Sequence, residues 1–225
     1  MTLTLPQDWP RRLETLAREQ LERDPSCHDW DHTQRVLLSA TTLAQQEGAD
    51  LSIVTAAAIL HDIARPEEMT SQGKVDHAVL GAQMALALLE REHLGTPEWR
   101  QRVARCIRTH RYRNRTGEAP ESVEEKVLFD ADKLDSLGAI GLARAFHFAG
   151  KTGARVHNSA QEALAGHSYG REDSAYREYL VKLQYLPQAM LTDAGTALAK
   201  KRLHFMETFF QTLHQECFPS DAASP

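Results

Sequence analysis

His61 and Asp62 stand where burial should forbid polar groups. The preceding run, Ile53 to Leu60, is apolar except for Thr55, and Ile63-Ala64 continue it. Asp50 offers an N-cap and Pro66 a stop, so the pattern predicts a helix over 51–64. A helix apolar on every face belongs in a core. A carboxylate there has to be paired or has to coordinate a metal, because an isolated buried charge is very costly. Imidazole beside carboxylate supplies one N and one O donor for a divalent cation. The dipeptide recurs as His28-Asp29 after Pro25, in a loop-like stretch where water solvates it. The first copy therefore needs further donors from elsewhere in the chain.

Helical-wheel positions supply them. His32 shares a face with Val36, Ser39 and Leu43, and Arg35 follows one turn later. His110 shares a face with Trp99, Val103 and Cys106, and Asp132 one with Leu128 and Asp135. Imidazoles and carboxylates converging in a helical bundle suit Mn²⁺, Fe²⁺, Co²⁺, Ni²⁺ or Zn²⁺. An octahedral ion keeps positions open for water and a substrate oxygen. Each residue has a plainer alternative. An inward His is commonly a satisfied core residue. Asp132 in the plainer case is a helix-surface residue or pairs with Lys133 or Arg144, and Asp135 is an N-cap. His77, after a cap at Asp76, is either a first-turn polar residue or a site residue. Together the four are harder to dismiss than any one.

The elements that must position these groups read as helices, with no alternation of strand type. Leu13, Leu16, Ala17 and Leu21 form a first stripe, and His32 to Leu43 a second, ending at Gly48. After helix 51–64 comes a polar loop, Arg65–Val75, then a helix from about Asp76 to Leu94 stopped by Gly95. Thr96-Pro97 starts the next helix. A helix over 123–134 breaks near Gly138–Gly141 and resumes to Ala149. Residues 150–173 show no period, which marks a lid or a disordered segment. Asp173 caps a helix carrying Tyr176 to Leu183, the last helix starts near Thr192-Asp193, and the tail 219–225 frays. The expectation is one all-α domain over 1–225, with its core at about 25–150, the helices of 174–217 packed on it and 150–173 as lid.

The chain of 225 residues suffices for such a core. An apolar share of 42% with 25% charged residues is ordinary for a soluble protein. The first residues lack a basic and then apolar leader, and no apolar stretch spans a bilayer. Three widely spaced cysteines without a CxxC pair argue against a disulfide framework or thiolate zinc. A reducing cytoplasm is the expected compartment. A net charge of −5 argues against binding nucleic-acid polymers. Seven arginines nevertheless lie between Arg100 and Arg115. They are either a solvated helix face or a positive rim for phosphorylated substrates. Arg105 and Arg108 point away from the apolar face, while Arg111, Arg113 and Arg115 fit either reading.

The series His32…His61-Asp62…Asp132 resembles the H…HD…D signature of the HD-domain metal-dependent phosphohydrolases. The blocks His28–Val36, Ala58–Ile63, His77 with Gly81-Ala82, Ile107–Arg111 and Asp130–Gly141 are similar to the YedJ/YpgQ-like branch, as are Lys182-Leu183, Met190, Thr192 and Arg202–Met206. The resemblance spans roughly 10–217, with Asp130–Gly141 its most distinctive part. It implies an HD-domain helical bundle with one divalent metal on His32, His61, Asp62 and Asp132, and hydrolysis of a phosphate ester or anhydride. His110–Arg113 lacks the HHE…GYP elements of cyclic-di-GMP phosphodiesterases. Ile63-Ala64-Arg65-Pro66 lacks the Glu-Asp pair of (p)ppGpp hydrolases.

The expected activity is nucleoside-triphosphate pyrophosphohydrolysis by metal-activated water, with Mn²⁺ as the leading ion and Mg²⁺, Co²⁺, Ni²⁺, Fe²⁺ or Zn²⁺ as substitutes. His110, His77 and Lys133 are the expected catalytic residues, and Arg35, Lys182 and Arg202 the substrate contacts. The alternatives are a 5′-nucleotidase-type phosphomonoesterase, a non-catalytic nucleotide sensor, and a structural bundle with buried His–Asp pairs. The partner is a small phosphorylated molecule, without a membrane. A homodimer follows from the frequency of two-fold assemblies.

Overall fold

A computed structural model describes residues 5–21, 29–111 and 118–218. The described residues form helices and no strand. His28, Arg113, Arg115 and the tail 219–225 lie outside them. Among the described residues no helix is long and apolar enough to cross a membrane. Contacts divide the chain into two compact units. One contains residues up to Asp132 and the segment Leu191–Gly195, the other Lys133–Met190 and the chain from Thr196 on.

The first unit is built on the apolar run. Helix α1 is Trp9–Leu21, α2 Trp30–Glu47, α3 Leu51–Leu60, α4 Arg65–Thr70, α5 His77–Arg91 and α6 Pro97–Thr109. Asp50 caps α3, its side chain accepting from the Ser52 and Ile53 amides. Every residue from Ala56 to Leu60 is buried, and α1, α2 and α6 pack around α3. α3 therefore forms the core, as its lack of a polar face requires. It ends four residues earlier than the pattern predicts. His61 is its C-cap, residues 61–64 form turns, and Pro66 lies in the first turn of α4 instead of stopping α3. Proline is tolerated at a helix start because the N–H it lacks is unpaired there anyway. The expected loop at 65–75 thus contains a helix. α7, Val123–Leu134, enters the second unit after Asp132.

In the second unit α8 is Gly138–Lys151, α9 Ala160–Ala165 and α10 Ala175–Val181, with a 3-10 helix over Leu183–Ala189; α11, Asp193–Cys217, starts in the first unit and belongs to the second from Thr196 on. The break after α7 falls at 135–137, just before the expected Gly138–Gly141, which instead open α8. Asp135 is not an N-cap there; it pairs with Arg144 at 2.7 Å. Residues 150–173 are not structureless. Ser159 and Glu162 form a reciprocal capping box on α9. Buried Asn158 donates to the Glu172 carbonyl at 3.0 Å, and the Arg155 amide donates to the Arg171 carbonyl at 2.9 Å. Ser174, not Asp173, caps α10; Asp173 pairs with Arg177 at 2.9 Å. Phe146, Tyr176, Tyr179, Phe209 and Phe210 form the aromatic cluster of this unit.

Candidate functional site

His32 lies in the first turn of α2, which Asp29 caps by accepting from the His32 amide at 2.9 Å. The ring is fully buried. His61 leaves the C-terminus of α3, and its Nδ1 donates to the Ala58 carbonyl at 2.8 Å. A carbonyl only accepts, so the ring proton sits on Nδ1 and the Nε2 lone pair points onward. Burial holds His61 below the ordinary histidine pKa, against the pull of Asp62. That Nε2 lies 3.2 Å from His32 Nε2 and 3.5 Å from Asp62 Oδ2. His32 Nε2 is 3.6 Å from the same oxygen and 3.4 Å from Asp132 Oδ1. His32 Nε2 thus has donor atoms of His61, Asp62 and Asp132 within 3.6 Å, from the α3 terminus and α7.

The spacing tests whether a cation fits. An ion that holds N and O donors at ~2.1 Å separates neighbouring donors by roughly 3.0–3.4 Å. The four distances above lie at or just beyond that range. His32, His61 and Asp132 each offer an atom within 4.8 Å of the others. Asp62 is 1% exposed; Arg65 Nε meets its Oδ1 at 3.0 Å, and its Oδ2 is the oxygen that faces His32 and His61. The donor set suits a borderline or hard divalent metal.

Asp62 has a second side. Its Oδ1 lies 3.4 Å from His77 Nε2 and 3.7 Å from His110 Nε2, and these nitrogens are 3.4 Å apart. Asp62, His77 and His110 form a second group with metal-ligand spacing, all buried. His110 repeats the His61 arrangement, since its Nδ1 donates to the Ile107 carbonyl at 2.6 Å. His77 opens α5, with Nδ1 2.9 Å from Glu68 Oε2. Burial lowers its pKa, opposed by Glu68.

Three residues around this group carry no sequence expectation as site residues, or only an ambiguous one. Arg65 donates from Nε to Asp62 Oδ1 at 3.0 Å and from Nη1 to Glu68 at 2.7 Å. Arg111 pairs with Glu68 at 2.9 Å and Asp76 at 3.1 Å. Glu68 is held at a pKa of about 2; burial opposes the shift, but His77, Arg65 and Arg111 outweigh it. One signal was available: Pro66 followed by Glu67-Glu68 is a helix-start pattern, which fixes where Glu68 points.

The remaining expected residues are placed as follows. Arg35 is half-buried in α2, one turn after His32. Lys133 follows Asp132 and is 6% exposed. Lys182 pairs with Glu178 at 2.7 Å, and Arg202 donates from Nη1 to the Leu134 carbonyl. Both belong to the second unit. The arginine-rich stretch is largely paired. Arg100 donates to the Leu94 and Gly95 carbonyls, Arg102 meets Glu124, Arg105 meets Glu118, Glu121 and Glu125, and Arg108 meets Glu118.

Comparison with known proteins bears on the same residues. The HD domain family model matches residues 29–137, which include His32, His61, Asp62 and Asp132. The YpgQ protein of Bacillus subtilis is 32% identical over 213 residues, 94% of this chain and 95% of the relative. The crystal structure of B. subtilis YpgQ in complex with ADP is similar at 30% identity, with a TM-score of 0.69 over 92% of this chain and 94% of that one. An HD-superfamily hydrolase from Bacillus thuringiensis gives 30% identity and a TM-score of 0.72 over 93% and 97%. The chain belongs to the HD-domain family, in the YpgQ-like branch of its hydrolases.

Proposed function

We propose that this hydrolase is a metal-dependent nucleoside-triphosphate pyrophosphohydrolase, releasing a monophosphate and pyrophosphate. The observation that supports this reading is His32 Nε2 with donor atoms of His61, Asp62 and Asp132 at 3.2–3.6 Å, the same Asp62 oxygen lying 3.5 Å from His61 Nε2. These four would hold one divalent cation, Mn²⁺ first among the candidates. When bound, such an ion lowers the pKa of water and polarises a phosphoryl oxygen. Water oxygen bonds to the α-phosphorus, the bond to the bridging oxygen breaks, and pyrophosphate leaves with that electron pair. The nucleotide class is favoured because the relative YpgQ has been crystallised with ADP.

The chain's own groups take the remaining tasks. His77 and His110, beside Asp62 Oδ1, contact a phosphate oxygen or take up the proton released from water. Glu68 Oε2, 2.9 Å from His77 Nδ1, would favour a proton on that nitrogen and leave Nε2 as an acceptor. Lys133 and Arg35 offset charge on the non-bridging oxygens. No part of the reading rests on Lys182 or Arg202, whose hydrogen bonds are to Glu178 and the Leu134 carbonyl. The proposal extends to the cytoplasm as compartment and a homodimer as assembly, the latter checked by light scattering.

The test is hydrolysis by chelator-stripped protein with Mn²⁺ restored. Pyrophosphate from a triphosphate is the expected product. Inorganic phosphate from a monophosphate would instead identify a 5′-nucleotidase, and tight nucleotide binding without product a sensor. Turnover that survives metal removal would refute the mechanism.

A further inference from the structure

The N-terminal turn of α11 is held by two carboxylates, and these come from the two helices that carry His32 and Asp132. Asp130 of α7 is fully buried. Its Oδ1 accepts from the Leu191 amide at 2.9 Å. Its Oδ2 accepts from the Thr192 amide at 2.9 Å and the Thr192 hydroxyl at 2.6 Å. The same hydroxyl accepts from the Gly195 amide at 3.0 Å. Glu47, the last residue of α2, accepts from the Ala194 amide at 2.8 Å. A Cβ at position 195 would lie 2.3 Å from Asp130 Oδ2 and 2.6 Å from Thr192 Oγ1, so glycine is required for the approach. Of the amides that the helix start leaves unpaired, Ala194 is met by Glu47 and Gly195 by the Thr192 hydroxyl, while Asp130 holds the two amides just before the helix.

Asp130 and Asp132 are two residues apart on one helix, so their side chains leave its axis about 200° apart. One cannot turn without the other. We propose that Asp130, seated by Thr192, is a positioning residue that fixes the rotation of α7 so that Asp132 faces His32 at 3.4 Å. A single ion pair would tolerate rotation. Three donors divided between both oxygens, closed in by Gly195, set a direction as well as an attraction. Glu47 has a lesser part. It lies 15 residues beyond His32, roughly 22 Å along α2, and so governs the tilt of that helix more than the direction of His32. The inference rests on reading His32, His61, Asp62 and Asp132 as cation ligands.

The experiment is calorimetric titration of the full, chelator-stripped chain with Mn²⁺, well below every variant's Tm. Asp130→Asn turns an NH₂ donor toward either the two Thr192 donors or the Leu191 amide. It should weaken Mn²⁺ binding about 10–100-fold, the usual range for groups that orient ligands. Thr192→Val should fall between that variant and wild type, and Thr192→Ser should restore binding. Glu47→Gln should cost less than about fivefold. Leu13→Ala, which truncates a buried side chain of α1, should lower Tm yet leave Mn²⁺ affinity unchanged. Wild-type affinity in both Asp130→Asn and Thr192→Val overturns the inference, as does an equal loss in Leu13→Ala. Should Asp130→Asn lose its helical circular dichroism, the Val and Ser variants of Thr192 decide alone. A wild-type chain that binds no Mn²⁺ overturns the metal reading itself, an outcome distinct from variants that bind normally.

Discussion

His61 Nε2 faces His32 Nε2 across 3.2 Å inside the first unit. The His61 proton is committed to the Ala58 carbonyl, so any proton shared across this contact belongs to His32. One proton there serves His61 and Asp132 in turn, whereas a divalent cation serves all four donors at once. Cation binding should therefore displace that proton. Mn²⁺ affinity should fall as pH falls below the ordinary histidine range, because burial lowers the pKa of His61. The binding enthalpy should vary with the ionisation enthalpy of the buffer. Affinity independent of pH, together with buffer-independent heat, would contradict this account.

Stoichiometry separates the two faces of Asp62. One tight ion per chain is expected, lost in His61→Ala and Asp132→Asn and kept in His77→Gln. Saturation at about 100 times Kd should raise stability by about 2.7 kcal/mol, and those two variants should lose that gain. Two ions per chain, the second lost in His110→Ala, would assign the Asp62–His77–His110 group to metal as well. Arg65 bears on the second group, because its guanidinium at 3.0 Å from Oδ1 already supplies a positive charge.

Asp62 should be the least replaceable of the donors. It faces both histidine pairs and is nearly inaccessible to water. Asp62→Asn keeps its size but removes the charge that balances a bound cation. Loss of several kcal/mol of electrostatic stabilisation corresponds to a fall of about 10³-fold in kcat/KM. Helical circular dichroism should stay unchanged. Activity within tenfold of wild type would exclude the site from the chemistry.

Glu68 makes the acid limb of stability predictable. Its carboxyl is held at about 2 in the folded protein, below its ordinary value of 4.5. A depressed carboxyl binds fewer protons folded than unfolded, so the stability it contributes is complete above about pH 4.5. That contribution is lost as pH falls toward 2. Glu68→Gln should flatten this part of the curve of Tm against pH and lower Tm near neutrality. Thermal melts of metal-free protein between pH 2.5 and 6 provide the measurement. Parallel curves for the two proteins would show that Glu68 does not carry the effect.

The sequence exposes this site unevenly, for physical reasons. Asp62 is conspicuous because a carboxylate in an apolar run has few explanations, and His32 and His110 because wheel positions fix where they point. The end of α3 is hidden because Ile63 and Ala64 are as buried in a turn as they would be in a helix. Glu68 and Arg65 have the composition of solvated surface, and their burial depends on pairing with each other and with Asp62, His77 and Arg111. Ser159 and Glu162 do present a capping-box spacing, so α9 was legible within a stretch without periodicity. The Asp130–Thr192 contact spans 62 positions and leaves no local pattern.

The turn between α5 and α6 sets how His77 and His110 meet, and its backbone yields a pair of opposite predictions. His93 has φ +54° and Gly95 φ +68°, both in the left-handed region. A Cβ at 95 would also lie 2.3 Å from Trp99 Cε3. Trp99 cannot yield easily, because it is buried and its Nε1 donates to Ser52 Oγ at 2.9 Å. Gly95→Ala therefore adds left-handed strain to overpacking, and should cost about 2–4 kcal/mol. His93 is exposed and already bears the strain of that region. His93→Gly relieves it at the expense of unfolded-chain entropy, for a net gain of up to about 1 kcal/mol. Urea unfolding at 25 °C with an unchanged m-value measures both. Destabilisation by His93→Gly, or tolerance of Gly95→Ala, would mean that the turn differs from the one described.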